Sequence, residues 1–113
     1  MTTGVRTVDK TTGNPYVIAD DEFECDAAKA QNNLAKHLVG FEAARRVFDD
    51  AFALDRHDIG SRGGEVRYVI TGMVDGALLT VVYTERGERT RIISARRATK
   101  HAQREYYRSQ TSE

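Results

Sequence analysis

The sequence has no tryptophan, one cysteine (Cys25) and one proline (Pro15). A lone thiol cannot close an intrachain disulfide, which excludes a disulfide-stapled scaffold and makes the cytoplasm the expected compartment. Scarce proline and only nine glycines exclude collagen-like and low-complexity chains. Unbroken apolar stretches run to only a few residues, as in Ala77-Leu78-Leu79, so no membrane partner is expected. The Thr-rich start, Met1 to Gly13, lacks an apolar h-region, and no signal peptide is expected there. Net charge is also missing, because seventeen Lys and Arg balance seventeen Asp and Glu. Whole-chain charge therefore points to no partner.

What is there is a split of charge. Residues 16–58 hold ten acids against five bases, whereas residues 86–108 hold eight bases against Glu88 and Glu105. Such asymmetry suggests a polyanion-facing surface toward the C-terminal end.

At 113 residues the chain is long enough for one core and too short for two. Residues 1–15 read as a flexible tail, 16–108 as the folded domain and 109–113 as a second tail. One short strand is expected near Phe23 to Cys25. Asp26 is a good N-cap for a helix from Ala27 to Leu38, with Ala27, Ala30, Leu34 and Leu38 as its buried stripe. A second helix is expected over Phe41 to Ala51 behind Gly40, followed by a polar loop from Asp55 to Gly64. Glu65 to Val74, Leu78 to Glu85 and Arg89 to Arg96 read as strands, and a short basic helix follows Thr99. The class predicted is α+β: an antiparallel sheet of about four strands, two N-terminal helices on one face and a short C-terminal helix.

Asp75-Gly76 is a strong two-residue hairpin signal, and it fixes a register. Counting outward pairs Val74 with Ala77, Tyr68 with Tyr83 and Arg67 with Thr84. A first face then holds Tyr68, Ile70, Leu79, Val81 and Tyr83, and a second holds Glu65, Arg67, Thr71, Thr80, Thr84 and Arg86. An even second loop would add Ile92 and Ser94 to the first face and Arg89 and Arg91 to the second; an odd one would remove Arg91 from it. The first face is the expected core and the second is left open. Its arginines suit two-point contacts to phosphate, although charged solvent faces with Arg–Glu pairs are also ordinary in antiparallel sheets.

Other residues are read more plainly. Lys36-His37 suits the end of a helix dipole. His57 has no second His or Cys at ligand spacing, so neither metal nor cofactor is expected. His101 is expected to face solvent. Tyr68 and Tyr83 are packing residues, Tyr106 and Tyr107 either anchor the last helix or stack on bases, and Cys25 is a small buried hydrophobe.

Three motifs in order carry a resemblance. Phe23-Glu24-Cys25-Asp26-x-x-Lys29-x-x-x-Asn33-Leu34-x-Lys36-His37-x-Val39-x-Phe41-Glu42-x-Ala44 resembles the opening motif of the BrnT toxin family. Glu65-x-Arg67-Tyr68 with Gly72 to Gly76 and Thr80 to Arg86 resembles its middle, and Arg91-Ile92-Ile93-Ser94-Ala95-Arg96-Arg97-Ala98 its most distinctive segment. Cys25 stands where the family usually has Trp, and Gly40 where it usually has a Ser cap.

The resemblance implies a RelE-like fold and a ribonuclease toxin of a type II toxin–antitoxin system. It implies a BrnA-like antitoxin as partner, RNA as substrate, and operator DNA reached only through the antitoxin. By analogy with RelE-like ribonucleases, Arg67 and Arg91 would stabilise the scissile phosphate. Glu65 would act as base or as an orienter of Arg67, and Lys36, His37, Arg86 and Arg96 would contact the RNA backbone or act as acid. A homodimer and a heterotetramer with antitoxin both stay open. So do the alternatives of a toxin-like subunit that only completes a repressor complex and of a plain interaction domain.

Overall fold

The computed structural model describes residues 8–9, 14–58 and 65–111. In chain order the elements are β1 (Val8–Asp9), β2 (Asn14–Ala19), β3 (Phe23–Asp26), α1 (Ala27–His37), α2 (Phe41–Arg46), a 3-10 turn (Val47–Asp49), β4 (Leu54–His57), β5 (Tyr68–Val74), β6 (Ala77–Arg86), β7 (Arg89–Arg97) and α3 (Lys100–Thr111). They form one sheet in the order β1-β2-β3-β7-β6-β5-β4.

The central hairpin follows from its turn. Asp75 and Gly76 both take positive φ, as a type I′ turn demands, and β5 pairs with β6 from Val74↔Ala77 to Tyr68↔Tyr83. The register counted from the sequence holds over that whole ladder. A second tight turn, Gly87-Glu88, pairs Arg86 with Arg89, so the loop is even and Arg89 and Arg91 fall on the second face.

Part of the sequence reading needs correction. The α+β class stands, but the sheet has seven strands rather than about four, and it is mixed because β3 runs parallel to β7. β4 was expected as loop: its Asp55, Arg56 and His57 are exposed edge residues with none of the apolar alternation that marks a strand. Of that loop, residues 59–64 lie outside the described residues. Of the expected N-terminal tail, Val8–Asp9 and Asn14–Pro15 belong to strands and the remainder lies outside the described residues. Of the expected C-terminal tail, residues 109–111 continue α3, and 112–113 are not described. The second helix ends early, at Arg46, and tightens into the 3-10 turn.

An irregularity in the β6–β7 ladder also changes which residues share a face. Val82 pairs with Ser94 but Tyr83 pairs with Ile92, leaving Ile93 as the extra residue. Ser94 therefore moves to the second face, against expectation. Ala95, fully buried, takes the core position, and Arg96 opposite Thr80 joins the second face.

The first face is the core. Ile70, Val74, Leu79, Val81, Tyr83, Ile92 and Ala95 pack under Val39, Ala44 and Val47. The 3-10 turn sits so close to β5 that a Cβ on Gly72 would lie 2.9 Å from Val47 Cγ1. An aromatic row, Phe23–Phe48–Tyr83–Tyr68–His57, crosses this face with centroid spacings of 5.3, 4.9, 5.2 and 4.9 Å. Tyr68 and Tyr83 are thus packing residues, as expected.

α1 starts where Asp26 predicts, its carboxylate accepting from Lys29 N at 3.0 Å. Its buried stripe is not the expected one: Leu34 is 51% and Leu38 83% exposed, and the buried residue is Asn33. β3 ends at Asp26, so β7 beyond Ile92 has a free edge. Asn33 fills it, its amide donating to Ala95 O (2.7 Å) and Val39 O (2.9 Å) and accepting from Ala95 N (3.0 Å). A side-chain amide continues the ladder there because it carries the same donor–acceptor pair as a peptide.

Candidate nucleic-acid interface

The second face at the turn end of the β6–β7 hairpin gathers four arginines around two glutamates. Arg91 lies opposite Thr84 on β6 and beside Glu24 on β3, and its Nη1 donates to Glu24 Oε2 at 2.8 Å. Arg89 Nη1 lies 3.7 Å from the other oxygen of Glu24. Glu65 repeats the arrangement. It accepts from Arg86 Nη2 (3.0 Å) and Nε (3.2 Å), with Arg67 Nε 3.8 Å away.

The segment carrying Glu65 and Arg67 precedes β5 rather than belonging to it, contrary to the expected strand start. It is held in place from both sides. Thr84 Oγ1 donates to Val66 O at 2.6 Å, and Asp58 N donates to Arg67 O at 2.9 Å. Because Glu65 joins Arg67 to Arg86, and Arg86 and Arg91 share the second face, the two arginines singled out from the sequence stand on the same side of the sheet.

Each carboxylate is shared by two guanidinium groups, Glu24 by Arg89 and Arg91 and Glu65 by Arg67 and Arg86. Glu24 is buried at 8% exposure, whereas the Arg67 and Arg86 side chains remain 37% and 49% exposed. Arg67 Nε is buried and makes no hydrogen bond, an unmet donor 3.8 Å from Glu65 Oε1. The guanidinium groups are thus held in place by carboxylates on neighbouring segments.

Sequence reasoning overlooked Glu24, which fixes Arg91. The signal was the parallel β3–β7 pairing, invisible in a reading that took only antiparallel hairpins. Asp50 was overlooked too; one of its oxygens accepts from both Met73 N (2.8 Å) and Tyr106 OH (2.6 Å). Burial would raise the Asp50 carboxyl, but these bonds and one from Phe52 N outweigh it and hold the carboxyl below its ordinary range. Burial pushes the Cys25 thiol up to about 11, consistent with a packing residue.

The other candidates are dispersed. Arg96 is exposed on the second face opposite Thr80. Lys36 and His37 end α1, one turn beyond Asn33 and beside the Ala95 end of β7. The second face is also less open than expected. Tyr106, 3% exposed, anchors α3 so that its His101, Ala102 and Glu105 stand over Val69, Thr71 and Thr80.

Against known proteins, a family model described as the ribonuclease toxin BrnT of type II toxin–antitoxin systems matches residues 25–102. The chain belongs to the BrnT family. The matched span opens at Cys25, directly after Glu24, and takes in Arg67, Arg86, Arg89 and Arg91. Membership makes the chain one of a family of ribonuclease toxins whose systems include an antitoxin partner. No curated protein matches the sequence. Among the described residues, no helix is long and apolar enough to cross a membrane.

Proposed function

We propose that the protein is an endoribonuclease toxin that cuts RNA without a metal ion at the arginine cluster of the second face. The ribose 2′-oxygen gives up its proton to Glu65 or water and attacks the adjacent phosphorus. The P–O5′ bond breaks as O5′ takes a proton from water or from one of the cations Lys36, His37, Arg86 and Arg96, leaving a cyclic phosphate and a 5′-hydroxyl. The nucleophile comes from the substrate, so the barrier lies largely in the charge that develops on the phosphate oxygens. Fixed guanidinium groups answer that charge.

Arg67 and Arg91 hold the phosphate. Glu65 takes the 2′-hydroxyl proton or orients Arg67; its hydrogen bonds to Arg86 favour orientation. Arg86 and Arg96 extend the backbone contact along the second face, and Lys36 and His37 meet RNA beyond the sheet. A BrnA-like antitoxin neutralises the toxin in the cytoplasm, alone or within a heterotetramer, and carries the complex to operator DNA.

One observation supports this reading above the others: four guanidinium groups converge on one end of the second face, bridged in pairs by Glu24 and Glu65. Purified protein incubated with RNA and EDTA tests it. Cleavage to cyclic-phosphate ends is expected. Intact RNA, with DNA repression retained in the antitoxin complex, would instead identify a binding subunit.

A further inference from the structure

The second face carries a further feature away from the arginine cluster. Between α3 and the sheet lies a cleft of about 350 Å³, lined by Leu54, Val69, Thr71, Thr80, His101 and Ala102 among others. Its size falls at the small end of ligand pockets, room for one planar heterocycle. Leu54, Val69 and Ala102 give it apolar surface, and Arg56, His57, Asp58, His101 and Glu105 line the rest. The floor carries two hydroxyls, Thr71 Oγ1 and Thr80 Oγ1, 3.1 Å apart. Either can donate while the other accepts, so a ring edge bearing donors and acceptors finds partners there. At the mouth, Arg56 Nη2 donates to Glu105 Oε1 at 2.9 Å and fixes α3 over β4.

The cleft and the cluster lie on one line. Thr80 and Thr84 are on the same face of β6, and four residues of strand span about 13 Å. Arg91 stands opposite Thr84, and Arg96 opposite Thr80. The β-bulge at Ile93 is what puts Arg96 on this face, so β7 presents a cation at each end of the line. A single strand held by its phosphates at Arg91 and Arg96 would bring a base to the cleft a few nucleotides from the cut.

We propose that the cleft beneath α3 is a nucleobase subsite that takes one base of the RNA, displaced by a few nucleotides from the scissile phosphate. The proposal rests on the ribonuclease reading for the identity of the strand. Leu54, Val69 and Ala102 pack against the ring, and the Thr71–Thr80 hydroxyls read its edge.

The test uses the full chain and a series of non-cleavable 2′-O-methyl oligonucleotides, two to six nucleotides long, measured by fluorescence anisotropy. Affinity is expected to rise about tenfold at the length that first reaches the cleft. Ala102→Trp, which fills the cleft, and Thr71→Val, which removes a floor hydroxyl at nearly constant volume, should each erase that step. Affinity for the dinucleotide and cleavage of a dinucleotide substrate should not change in either variant. A smooth rise with length in the wild-type chain, or a step that survives both substitutions, overturns the subsite. A step without cleavage of any RNA leaves the subsite standing and overturns the ribonuclease reading.

Discussion

Glu24 and Arg91 face each other across the parallel β3–β7 pair, and Nη1 of the arginine donates to Oε2 of the glutamate at 2.8 Å. The carboxylate is buried and the guanidinium mostly so, at 9% and 18% side-chain exposure. Glu24 thus fixes the orientation of the Arg91 guanidinium. Arg91→Lys keeps the charge but loses the fork, and should lower kcat for RNA cleavage about 100-fold, the scale of one lost transition-state donor. Glu24→Gln should lower kcat about tenfold with KM little changed, because the arginine stays but is less firmly held. Single-turnover cleavage of a labelled RNA measures both. Undiminished cleavage in Arg91→Lys and in Arg67→Ala would remove the cluster from the mechanism.

Asn33 is the structural counterpart. Its amide satisfies three backbone groups that have no strand beside them, at Ala95 and Val39. Asn33→Ala should cost about 3 kcal/mol, since buried N–H and C=O groups would be left unpaired. Urea unfolding checks this, with the midpoint falling and the slope unchanged.

Leu38 ends α1 in the left-handed region at φ 59°, where a Cβ is crowded, and its side chain is 83% exposed. Leu38→Gly relieves the backbone and loses almost no burial. A gain of about 1 kcal/mol is expected, seen as a higher Tm. A lower Tm would show that the leucine is stabilising in place.

Asp50 joins the 3-10 turn region to β5 and α3 through Met73 N and Tyr106 OH. Its folded pKa lies below the unfolded value of about 3.9, so its stabilisation is present above that pH and is lost as the pH falls through the folded pKa. The stability difference between wild type and Asp50→Asn should therefore be constant from about pH 5 to neutrality and shrink below about pH 4. The same contact appears at the alkaline end. Burial and then the bond to Asp50 raise the Tyr106 phenol to about 12, so its contribution holds below about pH 10 and fades as the pH rises through 12. Denaturant midpoints across pH measure both limbs.

The local chemistry was legible in the sequence: the Asp75-Gly76 turn, the register from Val74–Ala77 to Tyr68–Tyr83, the Asp26 cap, and hence Arg86 on the second face. Arg89 and Arg91 joined it only once the Gly87-Glu88 turn proved even. Turns and caps are decided by neighbouring residues, which is why they were legible. Tertiary structure alone decided the parallel placement of β3 against β7, the bulge at Ile93, the exposure of Leu34 and Leu38, and the return of α3 over the second face. Each of these depends on which unpaired backbone edge or apolar surface lies within reach after the chain has folded back. No local pattern around Glu24 or Asn33 encodes that an arginine and a free strand edge, some sixty residues further along, will be their partners.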